Sequence, residues 1–266
     1  MRSRLIGVIA ALWLVPVIAI SDTLLCSKLS ATGNAEYPPY LWRESDSSKR
    51  LLGANTIIFD EIAKRLGVEI DLQHTGPWSR AQQEVRSGRI DLLAGAFITI
   101  PRQQWMDYVY PAFLQTTSVV WVRSNHSKPY TRREDLIDQV GVTVINNSFG
   151  QSFDAFAQDN LQISTVANLQ QAFSMLDLGR VDYLLYELNP AKAYTAQWGM
   201  SDEVNPLSPP ISSEGLFLTV SHKSSCNNGT LRGRLAKIVG ALVSEGFTEK
   251  ALQQGLALWQ QMQSKK

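Results

Sequence analysis

The stretch VRSGRIDLLAG, residues 85–95, contains the end of one structural element and the start of the next. Its first residues complete a short helical pattern that Gly88 stops, and an apolar strand pattern follows at once. A second stretch, LDLGRVDYLLY at residues 176–186, repeats the same order of a helix end, Gly-Arg, a β-branched residue, Asp and an apolar strand. Two equivalent units this far apart suggest two similarly built lobes.

Outside these two stretches the sequence continues to alternate between helical and strand patterns. One amphipathic helix is predicted from Asn55 or Thr56 as its N-cap to Gly67, and another from an N-cap at Asn168 to Gly179. The strand patterns VEIDL and VDYLLY come directly after them. Such alternation predicts an α/β protein with mainly parallel sheets.

The composition excludes several classes of function. The chain has 266 residues, which is enough for one large domain or two smaller ones. Its formal net charge of +1 argues against nucleic-acid binding, which needs clustered Lys and Arg. The histidines His74, His126 and His222 are scattered, without the spacing of a metal site. We therefore predict no metal and no cofactor.

The N-terminus has the pattern of a secretory signal. Arg2 and Arg4 precede the apolar residues 5–20, after which the chain becomes polar. Cleavage is predicted after Ser21. A membrane anchor is the alternative, but the apolar stretch is short for a span of about 20 residues and contains Pro16. The pattern favours an exported, periplasmic protein.

Two charged residues follow the strands of the repeated stretches. Arg102 lies beyond the first strand and Glu187 ends the second. Ligands of open α/β sheets bind beyond the carboxyl ends of the strands, so these charges could face each other across a cleft. The pair suits a free amino acid, since arginine binds a carboxylate bidentately and glutamate accepts from an ammonium. The residues alone favour the alternative, two solvated charges or a weak salt bridge.

Four motifs follow one another in an order that resembles a known family. They are EYPPY at 36–40, GANTIIFDEIAKRLG at 53–67, SGRIDLLAGAFITIPR at 87–102 and GRVDYLLYELNPA at 179–191. Their succession is similar to that of the type II periplasmic solute-binding proteins, in the family 3 group that serves polar amino-acid transporters. The resemblance covers essentially the whole mature chain. It implies two α/β lobes joined by a two-segment hinge, with a ligand cleft between them.

The resemblance also implies a set of ligand-binding residues. Arg102 corresponds to the arginine that clamps the ligand α-carboxylate, and Glu187 to the acidic residue that holds the α-ammonium. The other positions, which offer aromatic faces, backbone groups or hydroxyls, are Trp78, Tyr40, Thr99, Gly95, Phe97 and Ser148. Packing in the core is an alternative for both aromatics, and for Tyr40 the two interpretations stay balanced.

This sequence departs from the family pattern at three places. Asn55 and Ile57 replace the aspartates of G-x-D-x-D, which chiefly support the structure of the lobe. Glutamate at position 187 is one methylene longer than the usual aspartate, and Phe97 replaces a small polar residue. We expect a tighter and more apolar pocket, and the departures leave the identity of the ligand open.

The resemblance divides the chain into a signal peptide and two lobes. The signal peptide takes residues 1–21, the first lobe residues 22–122 and 214–266, and the inserted second lobe residues 123–213. This division places Cys26 and Cys226, the only two cysteines, in one lobe. Export permits a disulfide, so we predict a bond between them, with two unpaired thiols as the alternative.

The function implied by the resemblance is solute binding without catalysis. A monomer would capture a small zwitterionic solute and present it to an inner-membrane ABC permease. One alternative is a dehydratase of the cyclohexadienyl type, in which Glu187 with a raised pKa acts as general acid. Another is a ligand-sensing partner of a membrane receptor.

Overall fold

The computed structural model describes residues 24–264. The strands are β1 (Lys28–Thr32), β2 (Glu36–Tyr37), β3 (Leu41–Arg43), β4 (Leu51–Leu52), β5 (Glu69–Leu72), β6 (Leu92–Ala96), β7 (Met106–Arg123), β8 (Val140–Val144), β9 (Gln162–Val166), β10 (Tyr183–Glu187), β11 (Val204–Pro206) and β12 (Ser212–Ser221). The α-helices are α1 (Ala54–Leu66), α2 (Trp78–Ser87), α3 (Ile100–Gln103), α4 (Gln151–Asn160), α5 (Leu169–Asp177), α6 (Leu188–Gln197), α7 (Gly229–Ser244) and α8 (Phe247–Gln263).

Most strands join one large sheet in the order β5-β1-β6-β12-β7-β10-β8-β9, with β11 paired to β7. The two ends of this sheet are parallel, as the sequence predicts: β1 pairs with β5 and β6, and β8 pairs with β9 and β10. Its centre is antiparallel, because the long strands β7 and β12 pair with each other and with β10 and β6. A separate small sheet contains β2, β3 and β4.

The buried apolar side chains separate into clusters on the two sides of this antiparallel centre. The largest cluster draws its buried members from residues 29–114 and 216–251. Two smaller clusters draw theirs from residues 119–204, and a third draws its members from residues 78–106. The molecule therefore has two α/β lobes, the first around the large cluster and the cluster at residues 78–106, the second around the two clusters at residues 119–204, and β7 and β12 run between them.

The helix boundaries agree with the sequence patterns at α5 and differ at α1. Asn168 caps α5, since its side-chain oxygen accepts a hydrogen bond of 2.9 Å from the Gln171 amide. Helix α1 instead follows Gly53, and Asn55 lies inside its first turn. The predicted N-cap at Asn55 or Thr56 is therefore wrong, because the Asn55 side chain donates to the carbonyl of Ala94 at 2.8 Å rather than to its own helix.

The residues just before β1 are tied covalently to the segment that precedes α7. Cys26 and Cys226 form a disulfide with their Cα atoms 5.7 Å apart. Within residues 24–264, no helix is both long and apolar enough to span a bilayer. The predicted signal peptide falls on residues outside the described range.

Candidate functional site

A small buried cavity lies between the two lobes, where β6 and β10 end. The first lobe contributes Tyr37, Trp78 and Arg102 to its lining, and the second lobe contributes Asn147 and Glu187. The cavity has a volume of about 20 Å³, which is space for about one water molecule. Both strands are buried along their whole length, so the side chains that follow them are held at the carboxyl ends of the sheet.

Arg102 is held in place by the short helix α3. The hydroxyl oxygen of Thr99 caps this helix and accepts from the Arg102 amide at 3.3 Å. The guanidinium donates through Nη1 to the carbonyl of Phe97 at 3.3 Å and through Nη2 to the carbonyl of Asn146 at 3.1 Å. Its carbon lies 5.6 Å from the ring centroid of Trp78. Only 6% of the residue is exposed, and these two hydrogen bonds use two of the five N–H donors of the guanidinium.

Glu187 supplies the opposite charge from the second lobe. It is the last residue of β10, pairs in register with Ser118 of β7 and is 2% exposed. Its Oε2 atom has no hydrogen-bond partner in the described part of the chain. Burial raises the pKa of the Glu187 carboxyl to about 7, and the nearby Asn147, Tyr37 and Arg102 side chains offset only part of this effect.

Four polar atoms of the cavity lining are buried without a hydrogen-bond partner among residues 24–264. They are the Tyr37 hydroxyl, Asn55 Oδ1, Asn147 Nδ2 and Glu187 Oε2. Buried polar atoms are almost always paired, and leaving one unpaired costs about 1–3 kcal/mol. The set contains both donors and acceptors, so a polar ligand that carries both could satisfy it.

Five of the eight residues expected at the site line the cavity. They are Arg102, Glu187, Trp78, Gly95 and Phe97. Gly95 has a φ of 103°, and a Cβ atom there would lie 3.4 to 3.5 Å from Asn55, Leu216 and Phe113. A larger residue at position 95 would therefore be strained and would narrow the cavity.

The other three residues do not line this cavity, although Thr99 and Ser148 line an outer interlobe pocket with Arg102. Tyr40 is fully buried in the core beside the cavity, where its hydroxyl donates to the Gln115 carbonyl and accepts from Asn189. Thr99 caps α3, and the Ser148 hydroxyl donates to the carboxylate of Asp154. The polar groups of all three are thus already engaged within the protein.

Tyr37, Asn55 and Asn147 also line the cavity, although the sequence motifs do not single them out as ligand contacts. Tyr37 lies in the same EYPPY motif as Tyr40, and the motif does not tell which tyrosine enters the cleft. Asn147 is one residue before Ser148, so a shift of one position in the loop would have found it. Asn55 was interpreted as structural, and its side chain does bond to the Ala94 carbonyl while its oxygen stays unpaired.

The sequence profile of the bacterial extracellular solute-binding proteins, family 3, matches residues 29–254. The chain belongs to this family. The match spans both lobes and includes every residue that lines the cavity. It confirms the family that the four sequence motifs resemble.

Two curated proteins are similar in sequence to this solute-binding protein. One is the "Probable histidine-binding protein" of Campylobacter jejuni subsp. jejuni, 25% identical over 178 residues, which are 66% of each chain. The other is the "L-cystine-binding protein TcyA" of Bacillus subtilis, 23% identical over 146 residues, which are 55% of this chain and 52% of the relative. The matched part therefore spans just under two thirds of the first relative and about half of the second.

Solved structures share the fold. A mutant of ArgBP from T. maritima superposes with a TM-score of 0.71 at 19% identity, over 87% of this chain and 96% of that one. The amino acid ABC transporter substrate-binding protein AbpA from Streptococcus pneumoniae, bound to L-arginine, gives 0.70 at 18% identity, over 88% and 96%. At these identities the likeness establishes the two-lobed fold of periplasmic binding proteins.

Proposed function

We propose that this protein captures a small zwitterionic solute, an amino acid or a close derivative, and delivers it to an ABC importer. The observation that carries the proposal is that Arg102 from one lobe and Glu187 from the other line the same buried cavity. A guanidinium fork matches a carboxylate, and a carboxylate accepts from an ammonium. An α-amino acid is the simplest ligand that presents both groups about one carbon apart.

The relatives support this class of ligand. Their names describe binding of histidine, cystine and arginine, all of which carry the α-carboxylate and the α-ammonium. The ligands differ in their side chains, so the shared backbone groups are what a common pair of charges would recognise. In this proposal the protein is a periplasmic monomer that works without catalysis after residues 1–21 are removed.

The lobe boundaries belong to the same proposal. Residues 119–122 of β7 pack into the clusters of the second lobe, so we propose residues 22–118 and 214–266 for the first lobe and 119–213 for the second, with β7 and β12 as the two hinge segments. Ser118 of β7 pairs with Ser212 of β12 and with Glu187 of β10. The two segments between the lobes are therefore side by side, which lets the lobes rotate together about one line.

The test is a thermal-shift screen of residues 22–266 against amino acids, polyamines, opines and organic acids. We expect one class of amino acids to raise the melting temperature by several degrees, because a ligand that binds only the folded state stabilises it. Arg102→Ala and Glu187→Ala should lose the shift. Arg180→Ala and Glu203→Ala are the matched controls, since both residues are exposed. Amino-acid capture would be refuted if no compound of the panel raised the melting temperature, or if both cleft variants kept the shift.

A dehydratase is the second candidate, and the observation that favours it is the state of Glu187. A buried carboxyl with a pKa of about 7 is suited to donate a proton at neutral pH. The assay is turnover of a prephenate-like substrate by the wild-type protein and by Glu187→Gln. Turnover that Glu187→Gln abolishes would establish the enzyme, and its absence in the wild-type protein would dismiss it.

A further inference from the structure

Three hydrogen-bond donors of the first lobe meet at one carbonyl oxygen of the second lobe. The oxygen belongs to Asn146, which follows β8. It accepts from Trp78 Nε1 at 3.2 Å, from Gln82 Nε2 at 3.1 Å and from Arg102 Nη2 at 3.1 Å. A carbonyl oxygen has two lone pairs, so three donors use its capacity in full.

The donors are arranged on rigid and buried parts of the first lobe. Trp78 and Gln82 lie one turn apart on α2, and Arg102 lies on α3. Each of the three residues is less than a tenth exposed. Asn146 has a φ of 60°, in the left-handed region that asparagine tolerates better than most residues. Hydrogen bonds shielded from water in this way are stronger than exposed ones.

The lobes are closed against each other in this conformation. A second contact between them joins the Ile100 amide of α3 to Oε1 of Gln151 in α4 at 2.9 Å. The cavity volume of about 20 Å³ is far below what an amino acid needs. The groups that hold the lobes together here are therefore those of the protein itself, and a ligand requires the lobes to separate before it enters.

We infer that Gln82, with Trp78 and Arg102, forms an interlobe clasp on the Asn146 carbonyl and that Gln82 is a positioning residue for ligand retention. Gln82 lines an outer interlobe pocket with Arg102, and not the inner cavity that Trp78 and Arg102 line. Its effect on a ligand in the inner cavity is therefore exerted through closure of the lobes. The part of the inference that concerns retention rests on the proposed function, and the part that concerns closure does not.

The clasp affects both rates of binding. A ligand enters only the open form, so losing the Gln82 hydrogen bond raises the open fraction of the ligand-free protein and with it the association rate. A ligand leaves only after the clasp breaks, so the dissociation rate depends on it directly. Loss of one hydrogen bond worth about 0.5–1.5 kcal/mol changes a rate by about two- to tenfold.

The variant that tests the clasp is Gln82→Met, which keeps the length of the side chain and removes the donor. Gln83→Met is the matched control, because Gln83 is the next residue of α2 and is exposed. Small-angle scattering of the ligand-free mature protein should give a larger radius of gyration for Gln82→Met and an unchanged one for Gln83→Met. Trp78→Phe, which removes the indole N–H of a second donor together with part of the ring, should also expand the ligand-free protein.

The ligand-binding arm uses stopped-flow kinetics with an amino acid that binds the wild-type protein. We expect the dissociation rate of Gln82→Met to rise about two- to tenfold, and its association rate to rise by no more than the same factor. If Gln82→Met and Trp78→Phe both kept the radius of gyration of the ligand-free wild-type protein, the clasp would be overturned. An unchanged dissociation rate would overturn the role in retention. If no amino acid binds the wild-type protein, the proposed function fails, and the scattering experiment alone still decides whether the clasp exists.

Discussion

Among individual residues, Glu187 shows how a buried group of the site lowers the stability of the protein as the pH rises. Its carboxyl has a pKa of about 7, raised from 4.5 mainly by burial. Between these two pH values the folded protein keeps a proton that the unfolded chain has lost. The contribution of Glu187 to the free energy of unfolding therefore decreases as the pH rises through this window, and it stays at its low value above it.

Replacing Glu187 by glutamine should stabilise the protein at alkaline pH. The amide fills the same space without a charge, so the gain in the free energy of unfolding should reach at most about 3 kcal/mol at pH 8 and vanish below about pH 4.5. Urea unfolding between pH 4 and pH 8 measures it. Glu203→Gln is the control, because that glutamate is exposed. A gain that does not depend on pH would contradict the role of burial.

Ligand affinity should depend on the same titration in the opposite direction. An ammonium binds the ionised carboxylate, and below pH 7 the ligand-free carboxyl must first release its proton. We expect the dissociation constant to rise by up to about tenfold for each pH unit below 7 and to be constant just above it. Isothermal titration calorimetry from pH 5 to pH 8 measures this dependence. A constant affinity over the whole range would show that Glu187 does not hold the ammonium.

At the level of elements, a helix start is predictable from the sequence where a neighbouring side chain caps the helix. It is not predictable where contacts with segments distant in sequence fix the start. Asn168 caps α5 through its own helix, and the sequence identifies it. Helix α1 follows Gly53, whose φ is 123° and where a Cβ atom would lie 2.5 Å from the Tyr40 carbonyl oxygen. That close approach, and the bond from Asn55 to Ala94, depend on strands distant in sequence.

The cap of α5 should be worth about as much as other asparagine caps. Asn168→Ala leaves the Gln171 amide without its acceptor and should lower the free energy of unfolding by about 1 kcal/mol. Urea unfolding with an unchanged m-value measures the effect. Gln170→Ala is the control in the first turn, because its side chain is exposed. Equal stabilities of the two variants would refute the cap.

For the whole molecule, the long-range disulfide makes a large single contribution to stability. The bond between Cys26 and Cys226 closes a loop with a sequence separation of 200 residues. Restricting so long a loop in the unfolded chain is worth about 5 kcal/mol in the chain-entropy model, and measured values are usually lower, about 2–4 kcal/mol. The protein should therefore depend strongly on oxidising conditions.

The Cys26→Ser, Cys226→Ser double variant should lose about 2–5 kcal/mol of the free energy of unfolding. Urea unfolding of both proteins, with and without a reducing agent, measures the loss. The reductant should destabilise the wild-type protein and leave the double variant unchanged. Two free thiols in the unreduced wild-type protein would contradict the bond.

Much of the fold, and one pair of site residues, followed from the sequence because the relevant patterns are local. Hydrophobic periodicity and glycine stops predict alternating helices and strands, and the family motifs at two strand ends select Arg102 and Glu187. The antiparallel centre of the sheet was not predicted, because β7 and β12 are about ninety residues apart and pairing between such distant strands leaves no local pattern. Their pairing nevertheless sets the line about which the lobes are joined.

By itself, the sequence determined the α/β class, the two-lobed repeat, the family and the two charges that face the cleft. Only the tertiary structure decided that Tyr37 rather than Tyr40 enters the cavity and that Gln82 reaches the Asn146 carbonyl. It also decided the raised pKa of Glu187. The physical reason is that periodicity, helix caps and charge type depend on neighbouring residues. Burial, and the meeting of several hydrogen-bond donors at one atom, depend on how segments distant in sequence pack together.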